Sequence, residues 1–434
     1  MGRPRKNNPF EVPINTSKKV KSLEGLASIS TETDILWNLL LGKLSQISKT
    51  YGFHKVEVPL LEGHQLYQNV YKTAPENLQR LLVLEAPSKV AAIRDSLLPS
   101  VLRTYVQNKI YEQVPMSKWQ YQGFAVKKDW GGKTLISDYN FGFEIFGTFN
   151  HLSEAQVIGA VWEFVLSLGL NEAMIEINNI GNAECQRVYS ESLLDFLDSK
   201  KYDLCDSCNE HLAGRVLNVF RCPNLDCQAA VSEAPTILDF LDQDSHKHFT
   251  NILEALDELG MPYQLNPLHV GPEGYSKTNF SIKHKFKGQM AILGEGGYHD
   301  DLMACVCNKN FCCFGFTGSL SRFHELLESQ KIEVERQKRT DVFLVPLGEL
   351  AAKKSLRLFR DLTNEKISVH DHFGEGGVKN QLKQAQEFKV PVALIMGQKE
   401  AMDEMVILRD VKSGMQEVIS YDKIVEEVKK RLGK

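Results

Sequence analysis

Residues 120 to 147 read QYQGFAVKKDWGGKTLISDYNFGFEIFG, two aromatic-rich, strand-like runs joined by a turn that carries Gly131 and Gly132. Runs of this kind on either side of a glycine turn predict a β-hairpin. Lys127, Lys128 and Lys133 crowd the turn, and a solvated turn is the plain reading of such charges.

The sequence around the hairpin supplies helices and further strands. Apolar Ile35, Leu36, Leu39, Leu40, Leu44 and Ile47 recur at helical spacing from Thr31 to Tyr51, and KVEVPLLE after them reads as a strand. AAIRDSLLPSVLRTYVQN predicts a turn feeding a helix, EAQVIGAVWEFVLSLGL a helix and MIEINNIG a strand. From about residue 183 to 260 the pattern turns helical, with SESLLDFLDSK and HFTNILEALDELG on either side of a cysteine cluster, as an insertion would. Strand-like YQLNP, TNFSIKH and QMAILGEGG then resume, followed by a helix at SLSRFHELLESQ.

A charged stretch, ESQKIEVERQKRTD, reads as a linker at 328–339. Beyond it the strands DVFLVPLG, ISVHDHF and PVALIMG alternate with helical segments that end in the basic YDKIVEEVKKRLGK. Such alternation predicts a small, mostly parallel sheet covered on both faces, a separate α/β domain at 340–434.

A formal net charge of −4 argues against nucleic-acid binding by bulk electrostatics, so local basic patches would have to hold any such partner. Apolar stretches are broken by charge well short of membrane-spanning length, and MGRPRKNNPFEV lacks a signal-peptide core, so a cytoplasmic protein with no membrane association is expected. Residues 1–25 are basic and aperiodic, which predicts a mobile tail. Its Gly-Arg-Pro-Arg-Lys stretch resembles a minor-groove hook, but a single copy of so short a motif is weak and a solvated tail is the plainer reading.

Of nine cysteines, Cys205, Cys208, Cys222 and Cys227 cluster as C-x2-C and C-x4-C. Four thiolates in two knuckles can enclose one tetrahedral ion and leave no open position, so zinc here would be structural; four free thiols are the alternative, and His211 lies nearby as a substitute ligand. Cys305, Cys307, Cys312 and Cys313 fall in the apolar run LMACVCNKNFCCFGF and read as buried small hydrophobes.

EVPLLE, IRDSLLPSVLR, the hairpin, HVGPEGYSKTNFSI, GEGGYHDDL, FGFTGSLSRF and the C-terminal α/β domain occur in the order found in class II histidyl-tRNA synthetases. The insertion LCDSCNEHLAGRVLNVFRCPNLDCQAAV is similar to the cysteine-containing insertion of the bacterial enzymes. The resemblance implies an antiparallel-sheet core at 26–182 and 261–327, a helical insertion at 183–260 and an anticodon-binding-like domain at 340–434. It also implies a homodimer, with tRNA and histidine as partners.

Amino-acid activation joins two anions, a carboxylate and the α-phosphate of ATP, so its catalysis depends on arginine forks and magnesium. In the family the hairpin opens with Phe-Arg; here it is Phe124-Ala125. Lys127 follows two residues on, roughly 6 to 7 Å away on the same strand face, without the fork. The family's Arg-Gly-Leu-Asp-Tyr-Tyr is matched by Val270-Gly271-Pro272-Glu273-Gly274-Tyr275, and its Arg-Pro-Glu-Gly-Thr by Arg94-Asp95-Ser96-Leu97-Leu98. Ser96 therefore stands where a glutamate would hold the substrate amino group. The resemblance keeps Arg94, Asn140, Glu144, Tyr275, Tyr298 and Arg322 as pocket candidates beside Lys127. It implies a synthetase-like paralogue with lost or altered histidine activation. The alternatives are an active histidine–tRNA ligase, which would need ATP and magnesium, and a regulatory subunit of a histidine-biosynthesis enzyme.

Overall fold

Alternation along the hairpin makes the two faces of one sheet. On the return strand, Leu135–Gly147, Phe141, Phe143 and Ile145 are fully buried against helices, while Asn140, Gly142 and Glu144 belong to the opposite face. The outgoing strand, Met116–Lys128, pairs with it throughout, Ala125 opposite Asp138 and Lys127 opposite Ile136. The computed structural model describes residues 22–26, 29, 34–85, 90–212, 214–307, 311–330, 340–371 and 377–434. Residues 1–21 of the expected tail and 331–339 of the expected linker lie outside the described residues.

Eight strands form the main sheet, in the order His54–Val56, Met116–Lys128, Leu135–Gly147, Cys313–Ser319, Gln289–Tyr298, Ser276–Phe286, Met174–Asn179 and Tyr263–Leu265. The two outermost pairs are parallel and the rest antiparallel. Helices Asp34–Thr50, His151–Ser167, Gln243–Glu258 and Leu320–Ser329 share one core with the sheet, built on Leu40, Val161, Phe164, Ile252, Phe316 and Phe323. Burying each such side chain stabilises the layer by roughly 1.5–3 kcal/mol. The Asn150 side chain fixes where one helix begins, accepting from Leu152 N at 3.1 Å and Ser153 N at 3.3 Å.

KVEVPLLE is two short strands rather than one. His54–Val56 joins the main sheet and Leu61–Gly63 a separate three-stranded sheet with Val90–Ile93 and Leu82–Glu85, because Pro59 between them has no N–H for a ladder. The insertion begins with helix Ala183–Asp198 and closes over its own small core of Leu193, Leu197, Cys208, Val219 and Cys227.

The chain divides into two units, Met1–Ile332 and Glu333–Lys434. In the second, Val369–Asp371, Val342–Pro346 and Val392–Met396 run parallel, but Met405–Asp410 and Gln416–Ser420 add an antiparallel hairpin, so the sheet is mixed rather than mostly parallel. Its turn depends on Asp410, which accepts from Ser413 N at 2.6 Å, and on Gly414 at φ +75°. Two apolar cores occupy the two faces of this sheet.

Candidate functional site

Opposite the helical layer, the sheet carries a cleft of about 380 Å3. Lys127, Asn140, Tyr275 and Arg322 line it, and four of the seven expected pocket residues are thereby brought together. Arg94, Glu144 and Tyr298 are absent from the described lining residues. Lys127 is a strand residue facing the cleft rather than part of a solvated turn. Burial holds its ammonium below the usual lysine pKa, Arg80 pushes the same way, and Asp95 and Asp138 oppose them. The turn proper is closed by Asp129, whose Oδ1 accepts from Lys133 N at 2.8 Å.

The side chain of Arg322, two residues into its helix, donates to Ile292 O at 2.6 Å. Asn140 donates to Asp138 Oδ2 at 2.9 Å, and Asp138 Oδ1 accepts from Ser319 Oγ at 2.6 Å. Arg94 is a brace: its guanidinium donates to the carbonyls of Phe124, Val58 and Pro59 at 2.7, 2.6 and 3.0 Å, tying the small sheet to the hairpin. Tyr298 lies on the helical face, its hydroxyl donating to Glu154. The physical reason is parity: Glu295, which lines the cleft, and Tyr298 are an odd number of residues apart on one strand and so face opposite ways.

Glu144 faces the cleft side but is sealed behind the wall. Its Oε2 accepts from His299 Nε2 at 2.8 Å and its Oε1 from the Tyr121 hydroxyl at 3.1 Å. All three side chains are fully buried.

The substituted positions are filled by packing. Ala125 is 3% exposed in an apolar cluster with Leu97, Val101 and Tyr121, and Val270 is 5% exposed in the core of the insertion. Ser96 lines the cleft, while Asp95 turns into the interior, where burial raises its carboxyl pKa against the opposing Tyr71 hydroxyl and Lys127. One cation beside Val270 was not foreseen: Arg221, from the insertion, donates to Val270 O at 3.0 Å. It is held by Glu295 at 2.6 and 3.0 Å, as Arg215 is held by Glu76 at 2.5 Å and Glu273 at 3.5 Å. Nothing in the local sequence signals Arg221, since only the fold of the insertion brings it there.

In the insertion, Cys205, Cys208, Cys222 and Cys227 offer sulfurs that all lie within 4.8 Å of one another, with Cys205 and Cys222 at 3.8 Å. Sulfurs about 2.3 Å from a central zinc would stand about 3.8 Å apart, so the cluster could hold a metal ion. The side chain of His211 lies outside the described residues. Of the four other cysteines expected to be buried, Cys313 is; Cys305 and Cys307 are half-buried and Cys312 is exposed. Helix Asp300–Cys307 turns only Leu302 and Met303 fully inward.

Sheet, cleft and cysteine insertion define a protein of the class II aminoacyl-tRNA synthetase fold. The fold matches the crystal structure of apo histidyl-tRNA synthetase from S. aureus with TM-score 0.78 at 22% identity, over 95% of this chain and 100% of that one. Residues 341–431 match the anticodon binding domain family. The histidine–tRNA ligase of Clostridioides difficile is 26% identical over 418 residues, 95% of this chain and 99% of its own length. That of Thermosipho melanesiensis is 27% identical over 420 residues, 93% and 97% respectively. Over nearly its whole length the chain is thus similar to histidine–tRNA ligases, and its C-terminal residues match the anticodon binding domain family. A structure titled as an ATP phosphoribosyltransferase regulatory subunit/histidyl-tRNA synthetase from Bacillus halodurans shares the fold with TM-score 0.61 at 16% identity, over 90% of this chain and 99% of that one. Among the described residues, no helix is long and apolar enough to cross a membrane.

Proposed function

We propose that this is a histidyl-tRNA synthetase-like protein in which histidine activation is lost or altered while tRNA binding and a dimer architecture are kept. One observation carries the reading: at the two positions where the family resemblance expects arginines, Ala125 and Val270 are packed into apolar clusters. Removing one preorganised transition-state donor costs about 10²–10³ in rate, so two such losses leave fast adenylate formation without its main electrostatic support. Arg221 does not replace them, because Glu295 already takes its charge.

The tRNA contact is assigned to the anticodon-binding domain. The dimer contact is proposed for helix Asp34–Thr50 and the EVPLLE segment, which the resemblance matches to the family's dimer-forming motif, and Leu61 of that segment is exposed. The four cysteines would hold a structural zinc that fastens the two knuckles of the insertion and takes no part in chemistry.

The reading as an active ligase draws on one observation, Lys127 inside the cleft; that enzyme would bind ATP with magnesium there. A regulatory subunit of a histidine-biosynthesis enzyme is the third reading, and the Bacillus halodurans neighbour aligned over 90% of this chain keeps it open. Histidine-dependent exchange of pyrophosphate into ATP decides the matter. The proposal expects none at a synthetase-like rate, and exchange at that rate would restore the ligase reading.

A further inference from the structure

We propose that His299 is an internal ligand: its imidazole fills the side-chain recess behind the cleft, so that the cleft excludes free histidine. This deepens, and rests on, the reading of lost or altered histidine activation.

The recess adjoins the cleft directly. Tyr275 and Thr317 line the cleft, and immediately behind them the Tyr275 ring packs edge-on to the His299 ring at 4.6 Å and 63°, while Thr317 Oγ1 meets the Tyr121 hydroxyl at 2.8 Å. Glu144 forms the floor. A buried carboxylate must be met by donors or it costs several kcal/mol. Tyr121 supplies one and the His299 N–H the other. A carboxylate floor, a phenol beside it and an aromatic edge above are groups that recognise an imidazole, and an imidazole of this chain already occupies them.

The neighbouring strands leave room for this cluster. A Cβ on Gly315 would lie 1.9 Å from Glu144 Oε2, and one on Gly142 2.3 Å from the Tyr121 hydroxyl. The occupant is also tethered. The His299 backbone donates to Cys313 O at 3.0 Å and accepts from Met303 N at 2.9 Å, and the next residue, Asp300, is held by Lys277 at 2.9 Å and Cys313 N at 3.0 Å. Fixed at both sides, the ring is a resident rather than a gate. The tether leaves one mismatch: Nδ1 is buried without a hydrogen-bond partner among the described residues. With the side chain removed, Glu144 and the Tyr275 edge would be left without the ring they now meet, so an emptied recess should take up a free imidazole.

The test is a calorimetric and NMR titration of the full chain with free histidine and with imidazole. Wild type is expected to bind neither saturably, with the His299 ring signals unmoved by excess histidine. His299→Gly is expected to take up imidazole, and adding Glu144→Gln should weaken that binding by about tenfold or more, the usual effect of losing a charged acceptor. Two results would overturn the proposal: saturable histidine binding by wild type, or a folded His299→Gly that takes up no imidazole. Should His299→Gly fail to fold, the wild-type titration decides alone. Histidine binding without pyrophosphate exchange would sink this inference and leave the proposed function standing, whereas exchange with histidine would remove that function itself.

Discussion

The cleft and the cysteine insertion treat their functional positions differently. In the insertion, four cysteines that could hold an ion have their sulfurs mutually within 4.8 Å. Around the cleft, the two positions where the resemblance expects arginines hold Ala125 and Val270, packed in apolar clusters, and the His299 imidazole lies behind Tyr275. On the proposed reading, the insertion keeps what a fold needs and the cleft lacks what adenylate chemistry needs. Architecture depends on apolar burial, to which an ion held by the four cysteines could add, and both are indifferent to the reacting groups. Charge stabilisation depends on a few guanidinium forks, which can disappear without disturbing a single strand pairing.

The comparison can be broken most severely at the insertion. Cys208→Ser, or a strong chelator, is expected to abolish bound zinc and melt the insertion, since structural zinc contributes on the order of 10 kcal/mol to such small sites. Metal analysis with hydrogen exchange over 205–231 checks this, and unchanged protection would show that the four thiols pack without an ion.

Next in size is a pH effect at His269, beside Val270. Burial lowers its pKa from 6.5 to about 4, so the unfolded chain binds a proton that the native chain refuses between those values. Stability is then full above pH 6.5 and falls by about 3 kcal/mol as the pH drops toward 4. His269→Gln should flatten that slope in urea melts taken across the same range.

On the cleft side, Gly315→Ala should cost about 1–3 kcal/mol by forcing Glu144 off His299, measured as a lowered urea midpoint. The smallest effect is expected on the outer face of the insertion. Arg187→Ala breaks fully exposed pairs with Glu184 and Glu191 and should leave the melting temperature unchanged within error.

Periodicity made most of the fold legible. The long helices, the hairpin, the insertion and the C-terminal domain all follow from spacing and turn residues, and the four cysteines from their knuckles. The antiparallel hairpin at Met405–Ser420 escaped although Ser413-Gly414 marks its turn, because it interrupts the strand–helix alternation that runs through the rest of the domain. At the site, Lys127, Asn140, Tyr275 and Arg322 were placed by motif order. Tyr298 was misplaced because one residue of parity decides which face of a strand a side chain takes. Arg221 and His299 were missed because their partners, Glu295 and Glu144, are 74 and 155 residues away in sequence. Only the closed sheet and the folded insertion bring such pairs together.

The central claim is that this cleft no longer grips histidine and ATP for adenylate formation. Pyrophosphate exchange run over all amino acids, beside an active histidine–tRNA ligase at equal concentration, tests it most directly. The account predicts no histidine-dependent exchange above background, and histidine-dependent exchange at a rate comparable with the active enzyme would contradict it.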